Sequence, residues 1–213
     1  VRTRTRLLIA IAVLAVAGTT AVTWAAAPPS NPPGYAGPRP EPATAPDGYV
    51  TLTEEVEVSV RPDEFLTWVK APSQDLGDLV EAGDDATRVV RTEHLIGTWD
   101  PASDRSGDRR RVEFATGHFL AEEVLADTPS RFRYVTWGFT DLRQRVAVHY
   151  AVAEFAYAPT PAGTRITWTY SFMPTADVLR PLVAQTVRGT VDTMMRGTLD
   201  AWKAGAEAAY PAP

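Results

Sequence analysis

Residues 164–172, Thr-Arg-Ile-Thr-Trp-Thr-Tyr-Ser-Phe, alternate strictly between apolar and polar side chains. Ile166, Trp168, Tyr170 and Phe172 fall on one face, and Arg165, Thr167, Thr169 and Ser171 on the other. That is the period of a strand with one buried and one wetted surface. Pro174 ends the run, and Thr175 with Asp177 offers helix-start chemistry. Leu179, Val183, Val187, Val191, Met194/Met195, Leu199, Trp202 and Ala206 then recur at helical spacing as far as about Ala208. A helix of about 31 residues is roughly 45 Å long, and it needs a broad apolar surface to lie on. The aromatic face just before it supplies one. Pro181, in the first turns, predicts a distorted start.

The other end of the chain has a different character. Arg2, Arg4 and Arg6 precede Leu7–Ala27, an uncharged apolar run. A basic start followed by such a run reads as an export signal, and its length equally suits a single membrane-spanning helix. The arginines would stay cytoplasmic and the remainder would cross. Ala25-Ala26-Ala27 resembles a processing site, but Pro28 directly behind it fits cleavage poorly, so anchor and cleaved signal both stay open. Residues 28–48 contain eight prolines with Gly34, Gly37 and Gly48 and no apolar period. They read as an extended, solvated linker making few contacts with the domain. Residues 49–209 then form one folded domain by length.

Setting aside Arg2, Arg4 and Arg6, three of the 21 basic residues, leaves the 26 acidic ones in clear excess. A nucleic-acid partner would want a basic face. There is no cysteine, which excludes disulfides, thiolate metal sites and cysteine nucleophiles. His94, His118 and His149 lack metal-ligand spacing. There is no nucleophile elbow and no Gly-rich phosphate loop. Nothing in the chain calls for a metal or a cofactor.

Within the domain, Val50–Val60 alternates as a first strand. Pro62-Asp63-Glu64 opens a short helix with Phe65, Trp68 and Val69 as its stripe, and a second short helix is expected over about Asp75–Ala82. Strands are expected at Thr87–Thr98, Arg109–Ala115, His118–Ala126, Arg131–Phe139, Val146–Ala158 and Arg165–Phe172, separated by turn signals. Successive hairpins make the sheet antiparallel, and with one long helix available it must curl over that helix.

This order resembles the SRPBCC superfamily, the helix-grip fold shared by START lipid-transfer domains, a plant pollen allergen family and polyketide cyclases. The resemblance rests on Val56–Trp68, Gly97-Thr98-Trp99, Gly107–Val112, Glu122-Glu123-Val124, Arg131–Tyr134 and Gly163–Trp168, in that order and spacing. It implies an α+β fold: a curved antiparallel sheet of about seven strands around the C-terminal helix, two short helices after the first strand, and an elongated cavity between sheet and helix. The N-terminal hydrophobic helix lies outside that domain. The superfamily holds carriers, sensors and enzymes, so the fold alone names no chemistry.

Three groups of residues are candidates for function. Tyr134, Phe155, Tyr157, Trp168, Tyr170 and Phe172 read inward from the sheet and face Val187, Val191, Met194 and Met195 on the helix. Aromatics with paired methionines suit an adaptable apolar ligand; the same stripe also serves as plain core. Second, if Thr116-Gly117 is a two-residue hairpin loop, Ala115 faces His118, and the count back pairs Arg110 with Glu123 on the inward face and Arg111 with Glu122 on the other. Arg110 and Glu123 would then meet a ligand's polar head or form a structural cross-strand pair. Third, Trp99, Trp137 and Phe139 near strand ends would line a cavity mouth, touch a membrane interface or pack in the core. Together these point to an envelope-side binding or transport domain for a lipid or other hydrophobic small molecule. The alternatives are a cyclase/aromatase-like enzyme acting on a bulky apolar substrate and a non-binding structural or regulatory domain.

Overall fold

A computed structural model describes residues 22–43, 47–71, 73–74, 76–81 and 84–211. The apolar run before residue 22 lies outside the described residues, as do the expected ends, Asp75 and Ala82, of the second short helix. The elements are β1 (Val50–Val58), α1 (Pro62–Val69), α2 (Leu76–Leu79), β2 (Val89–Ile96), β3 (Arg109–Phe114), β4 (Phe119–Thr128), β5 (Arg131–Trp137), α3 (Leu142–Ala147), β6 (Val148–Thr160) and β7 (Gly163–Pro174). A long C-terminal helix, α4, follows. The strands form one antiparallel sheet in the order β1-β7-β6-β5-β4-β3-β2. The first strand pairs with the last because every other connection is local and only β1 must return across the sheet. The helix-grip architecture expected from the sequence is the one observed.

Helix α4 is not one uniform helix. A 3-10 turn at Asp177–Leu179 leads into an α segment, Arg180–Thr186, a π segment, Val187–Val191, and a second α segment, Asp192–Ala209. Pro181 sits in the first turn, where its missing N–H costs nothing, and this accounts for the staggered start. The π segment contains Gly189 and turns Val187 and Val191 onto the sheet side with Met194 and Met195. Helix α3 was not anticipated. Asp141 caps it by accepting from the backbone N–H groups of Arg143 and Gln144, and it takes up Val146, which the alternation had assigned to the following strand.

The grip is aromatic. Phe155 on β6 lies between Trp168 on β7, 4.6 Å away by ring centroid, and Trp202 on α4, 4.9 Å away. Phe65 of α1 closes the group against Tyr157 and Trp202, and the Trp202 indole donates to the Leu79 carbonyl of α2 at 2.6 Å. Where β7 begins, Gly163 has φ +147, and a Cβ there would lie 2.2 Å from the Val58 carbonyl oxygen. Only glycine lets the β6–β7 turn cross the end of β1 so closely. The next residue, Thr164, ties the crossing by donating to the Val60 carbonyl at 2.7 Å.

The outer face of the sheet carries a second apolar cluster: Val135, Tyr150 and Val152, with Tyr49, Leu125, Trp137 and Met173 around them. Here the sequence expectation of a linker with few contacts is overturned. Residues 28–43 run across this face as a strap. Arg109 donates to the carbonyls of Tyr35 and Gly37, each at 2.7 Å, and Arg111 donates to the Pro33 carbonyl at 2.9 Å. The Tyr35 hydroxyl donates to Gly138 O, the Arg39 guanidinium to Glu123, and the Ala43 N–H to the Tyr150 hydroxyl. The reason is physical. A proline-rich backbone keeps its carbonyls free of secondary structure, and two arginines projecting from β3 supply donors for them. An open depression of about 400 Å3 remains where the strap's end, at Arg39 and Glu41 to Ala43, meets Leu125 and Arg133.

Two outcomes test this packing. Met195 is fully buried, so Met195→Trp overpacks the core and lowers stability by about 1–3 kcal/mol, read by denaturant unfolding. A chain beginning at residue 47 melts below one beginning at residue 28, because removing the strap uncovers the outer cluster and strips partners from Arg109 and Glu123. Equal melting temperatures would show that the strap contributes nothing.

Candidate functional site

The β3–β4 hairpin decides which charges face the helix. The Gly117 N–H donates to the Phe114 carbonyl and the Phe114 N–H to the His118 carbonyl, so the loop has three residues, Ala115-Thr116-Gly117. Gly117 takes φ +77, the left-handed last position that such loops require. The extra residue shifts the register by one. Arg110 pairs with Glu122 and Arg109 with Glu123, not Arg110 with Glu123 as the two-residue loop predicted. Glu123 therefore belongs to the outer face, where Arg109 and Arg39 hold it beneath the strap. Arg111, expected opposite Glu122, is bonded instead to Glu93. A one-residue change reverses every side chain of a strand.

Inward, Arg110 donates to Glu122 at 2.5 Å. Both side chains are largely withdrawn from solvent. Burial pushes the Glu122 carboxyl up, while the Arg110 charge opposes that rise. Glu122 stands opposite Thr136, and Val124 opposite Tyr134. On β6 the inward residues next to these are small: Ala151 lies between Thr136 and Phe172, and Ala153 between Tyr134 and Tyr170. The two tyrosine rings meet edge to face at 6.4 Å, and the Tyr170 and Thr136 hydroxyls are 3.4 Å apart. Burial pushes the Tyr170 phenol up to about 12 and the Tyr134 phenol well above its ordinary value, so both remain neutral hydrogen-bonding groups. Phe132, Tyr134 and Tyr170 point inward from the sheet and still keep partial solvent access.

A loop folds over this polar end. Gly97 (φ +74) lets the chain pass against Asp108, where a Cβ would meet the carboxylate at 1.8 Å. Asp108 accepts the Trp99 N–H at 2.7 Å. Trp99, at φ +55, thereby lays its ring 4.0 Å from the Arg110 guanidinium and stacks beside His94. From the same loop Arg105 reaches Asp127, which also accepts from Lys70, the residue that caps α1. A register shift between Val124 and Ala126 turns Asp127 inward. Three buried nitrogens along this inner region, Trp99 Nε1, Arg110 Nε and Trp168 Nε1, have no acceptor among the described residues. Buried donors without partners are costly.

The structure brings together most of the residues singled out in the sequence. Phe155, Tyr157, Trp168, Phe172, Val187, Val191, Met194 and Met195 share one buried cluster, with Tyr134 and Tyr170 packed against it. Between β7 and α4, where the sequence placed a cavity, these side chains fill the space themselves. The accessible part of the inner face lies further toward β5 and β3. Arg110 faces it; Glu123 does not. Trp99, one of the aromatics expected near a cavity mouth, lies over Arg110; Glu122, expected on the other face, stands beside Arg110 instead, and Thr136 and His94 were not anticipated there. The glycine at the third position of the hairpin loop was the signal that would have found Glu122. Phe139 packs in the core beside Val112 and Leu120, and Trp137 lies on the outer face under Arg109. Among the described residues no group of three or more His, Asp or Glu side chains could hold a metal ion. His118 contacts Thr140, and His149 packs against Tyr150.

The geometry has counterparts among solved structures. An aromatase/cyclase di-domain, StfQ of the steffimycin biosynthetic pathway, matches with a TM-score of 0.58 at 12% identity, over 78% of this chain and 54% of that one. Ara h 8.0201 matches with a TM-score of 0.57 at 16% identity, over 76% of this chain and 99% of that one. Norcoclaurine synthase of Thalictrum, solved with a transition-state analogue, matches with a TM-score of 0.56 at 17% identity, over 76% and 97% of the two chains. At these identities the likeness is one of fold. No curated protein matches the chain. The family model for polyketide cyclase/dehydrase and lipid transport proteins matches residues 49–207, nearly the whole of the domain whose sheet and helix are described above. The chain therefore belongs to the polyketide cyclase/dehydrase and lipid transport family, within the SRPBCC group that its sequence resembles.

Proposed function

We propose that this is a non-catalytic binding domain for a lipid or other apolar small molecule that carries acceptor oxygens, held on the outer side of a membrane by its N-terminal segment. One observation carries the binding reading. The Arg110–Glu122 pair, with Trp99 Nε1 and Arg110 Nε lacking acceptors, sits beside inward aromatic rings that solvent still reaches. A ligand oxygen would satisfy those donors, and Phe132, Tyr134 and Tyr170 would receive its apolar body. The family's association with lipid transport is consistent with this reading. The membrane placement rests on the three N-terminal arginines and the uncharged run behind them.

Extraction and mass spectrometry of the purified protein identify the ligand class; a stoichiometric apolar molecule is expected. Trp99→Phe keeps the ring over Arg110 and removes only the indole donor. It weakens binding of a carboxylate-bearing fatty-acid probe several-fold, corresponding to about 1 kcal/mol for one hydrogen bond. Binding of a hydrocarbon probe lacking oxygen stays unchanged. Equal loss for both probes would refute a donor role for Trp99.

A second reading, an enzyme acting on a bulky apolar substrate, draws on Glu122, a buried carboxyl positioned by Arg110 that can hold a proton. The raised carboxyl fixes the sign of a pH effect. The folded state binds the Glu122 proton more tightly than the unfolded chain does. Its stabilising contribution is thus present at low pH and is lost as pH rises from about 4.5, the ordinary value, through the folded value. The wild type should lose stability relative to Glu122→Gln over that range, measured by thermal melts at successive pH values. Turnover of a polyketide-like substrate that disappears in Glu122→Gln, with probe binding retained, would establish the enzymatic reading.

A further inference from the structure

One end of the molecule gathers features that neither the core nor the proposed binding site uses. The β3–β4 turn, α3, the start of β6, the end of β7 and the first turns of α4 all lie there. Thr175 joins β7 to α3, its N–H donating to Ala147 O and its hydroxyl to Val146 O. On this end Val146 is 52% exposed, Val178 83% and Leu182 48%. These are large apolar side chains on the surface of a chain that is otherwise acidic. Arg143 and Arg145 are exposed on α3 with Val146, Arg188 is exposed six residues beyond Leu182 on α4, and Arg180 is half-buried. The acids alongside are Asp141, engaged in capping α3, and Asp177, which faces Arg180.

The chain also arrives at this end. Residues 22–26 form a helical turn. Arg145 donates to the Ala25 carbonyl at 3.3 Å, and Pro28 packs at Gly117 of the β3–β4 turn. The strap then fixes residues 28–43 along the outer face. The described end of the uncharged run is thus held beside α3, with Trp24 84% and Val22 61% exposed. By sequence that run continues back to Leu7.

We propose that this end is a bilayer-docking surface. Val146, Val178 and Leu182 insert at the interface of an anionic phospholipid membrane, Trp24 sits at the headgroup level, and Arg143, Arg145 and Arg188 meet the lipid phosphates. Three arguments select lipid as the occupant. The uncharged run leads directly to the patch. The patch is basic on an acidic protein, which suits anionic headgroups. A tryptophan near the end of an apolar run is the residue favoured at a membrane–water boundary. Clamped to the sheet, the proline-rich segment sets one end of the domain against the bilayer. This inference rests on the membrane placement proposed above and adds an orientation to it.

The absence of cysteine makes the test clean. Val178→Cys places a single fluorophore on the patch of the full chain. Ala162→Cys places one on the exposed β6–β7 turn, at the opposite end because β6 runs the length of the sheet between them. Each labelled protein is added to phosphatidylglycerol/phosphatidylcholine vesicles carrying a headgroup-region quencher, and co-sedimentation is measured in parallel. The expected result is co-sedimentation of both proteins, strong quenching at position 178 and little at position 162. Leu182→Cys serves as a second patch position and should behave like Val178→Cys. Adding Arg143→Glu and Arg145→Glu should reduce quenching at 178 several-fold without abolishing co-sedimentation. Co-sedimentation with equal or absent quenching at both ends overturns the docking surface and leaves the membrane placement standing. Failure to co-sediment overturns both. A spectral shift at 178 that needs no vesicles and grows with protein concentration overturns the lipid assignment in favour of a second copy of the chain.

Discussion

Phe155 between Trp168 and Trp202 is the contact on which the structure depends. It is where the sheet meets the helix, and it joins β6, β7 and α4, the three elements of the C-terminal third. Truncating a buried aromatic ring of this kind typically costs about 3–5 kcal/mol. Phe65 and Leu79 bring the short helices of the N-terminal half onto the same stack through Trp202. One aromatic column thus registers the distant halves of the domain against each other. The same filling removes free space near Met195 and moves the accessible part of the inner face toward β5 and β3.

At that end the chain tolerates an arrangement that does little for stability. A buried arginine–glutamate pair recovers little more than its desolvation cost, and the orphaned indole and guanidinium nitrogens add to the deficit. The pair is nevertheless built with care: a three-residue loop sets its register, and Gly97 and Asp108 bring Trp99 over it. An expensive polar pair held beside accessible aromatic rings is the observation on which the proposed binding site rests.

The outer face follows a different logic. Arg109 and Glu123 would be an ordinary cross-strand pair at the surface of a sheet. Here they become the base of the strap, because Arg109 has donors left over for two carbonyls of the proline-rich segment. The segment thereby roofs Val135, Tyr150 and Val152, and it carries the chain's N-terminal part to the end of the domain where Val146, Val178 and Leu182 are exposed. The two faces of one sheet are thus put to different uses: the inner one packs on the helix and carries the proposed binding site, and the outer one holds the strap.

The sequence by itself determined the architecture. Strict alternation at 164–172 and helical spacing from Leu179 onward are local periodicities, and with one long helix and seven strands only a sheet curled over that helix buries both apolar faces. It also identified the inward aromatics, since each reads inward from its own strand. Tertiary structure decided the rest. The Arg110 partner depended on one residue of loop length, which reverses the parity of a whole strand. Trp99 became part of the site through a close approach at Gly97 that no periodicity records. The fate of residues 28–43 turned on arginines far away in sequence, because a proline-rich segment has no pattern of its own and takes its structure from whatever donors the fold presents to its carbonyls.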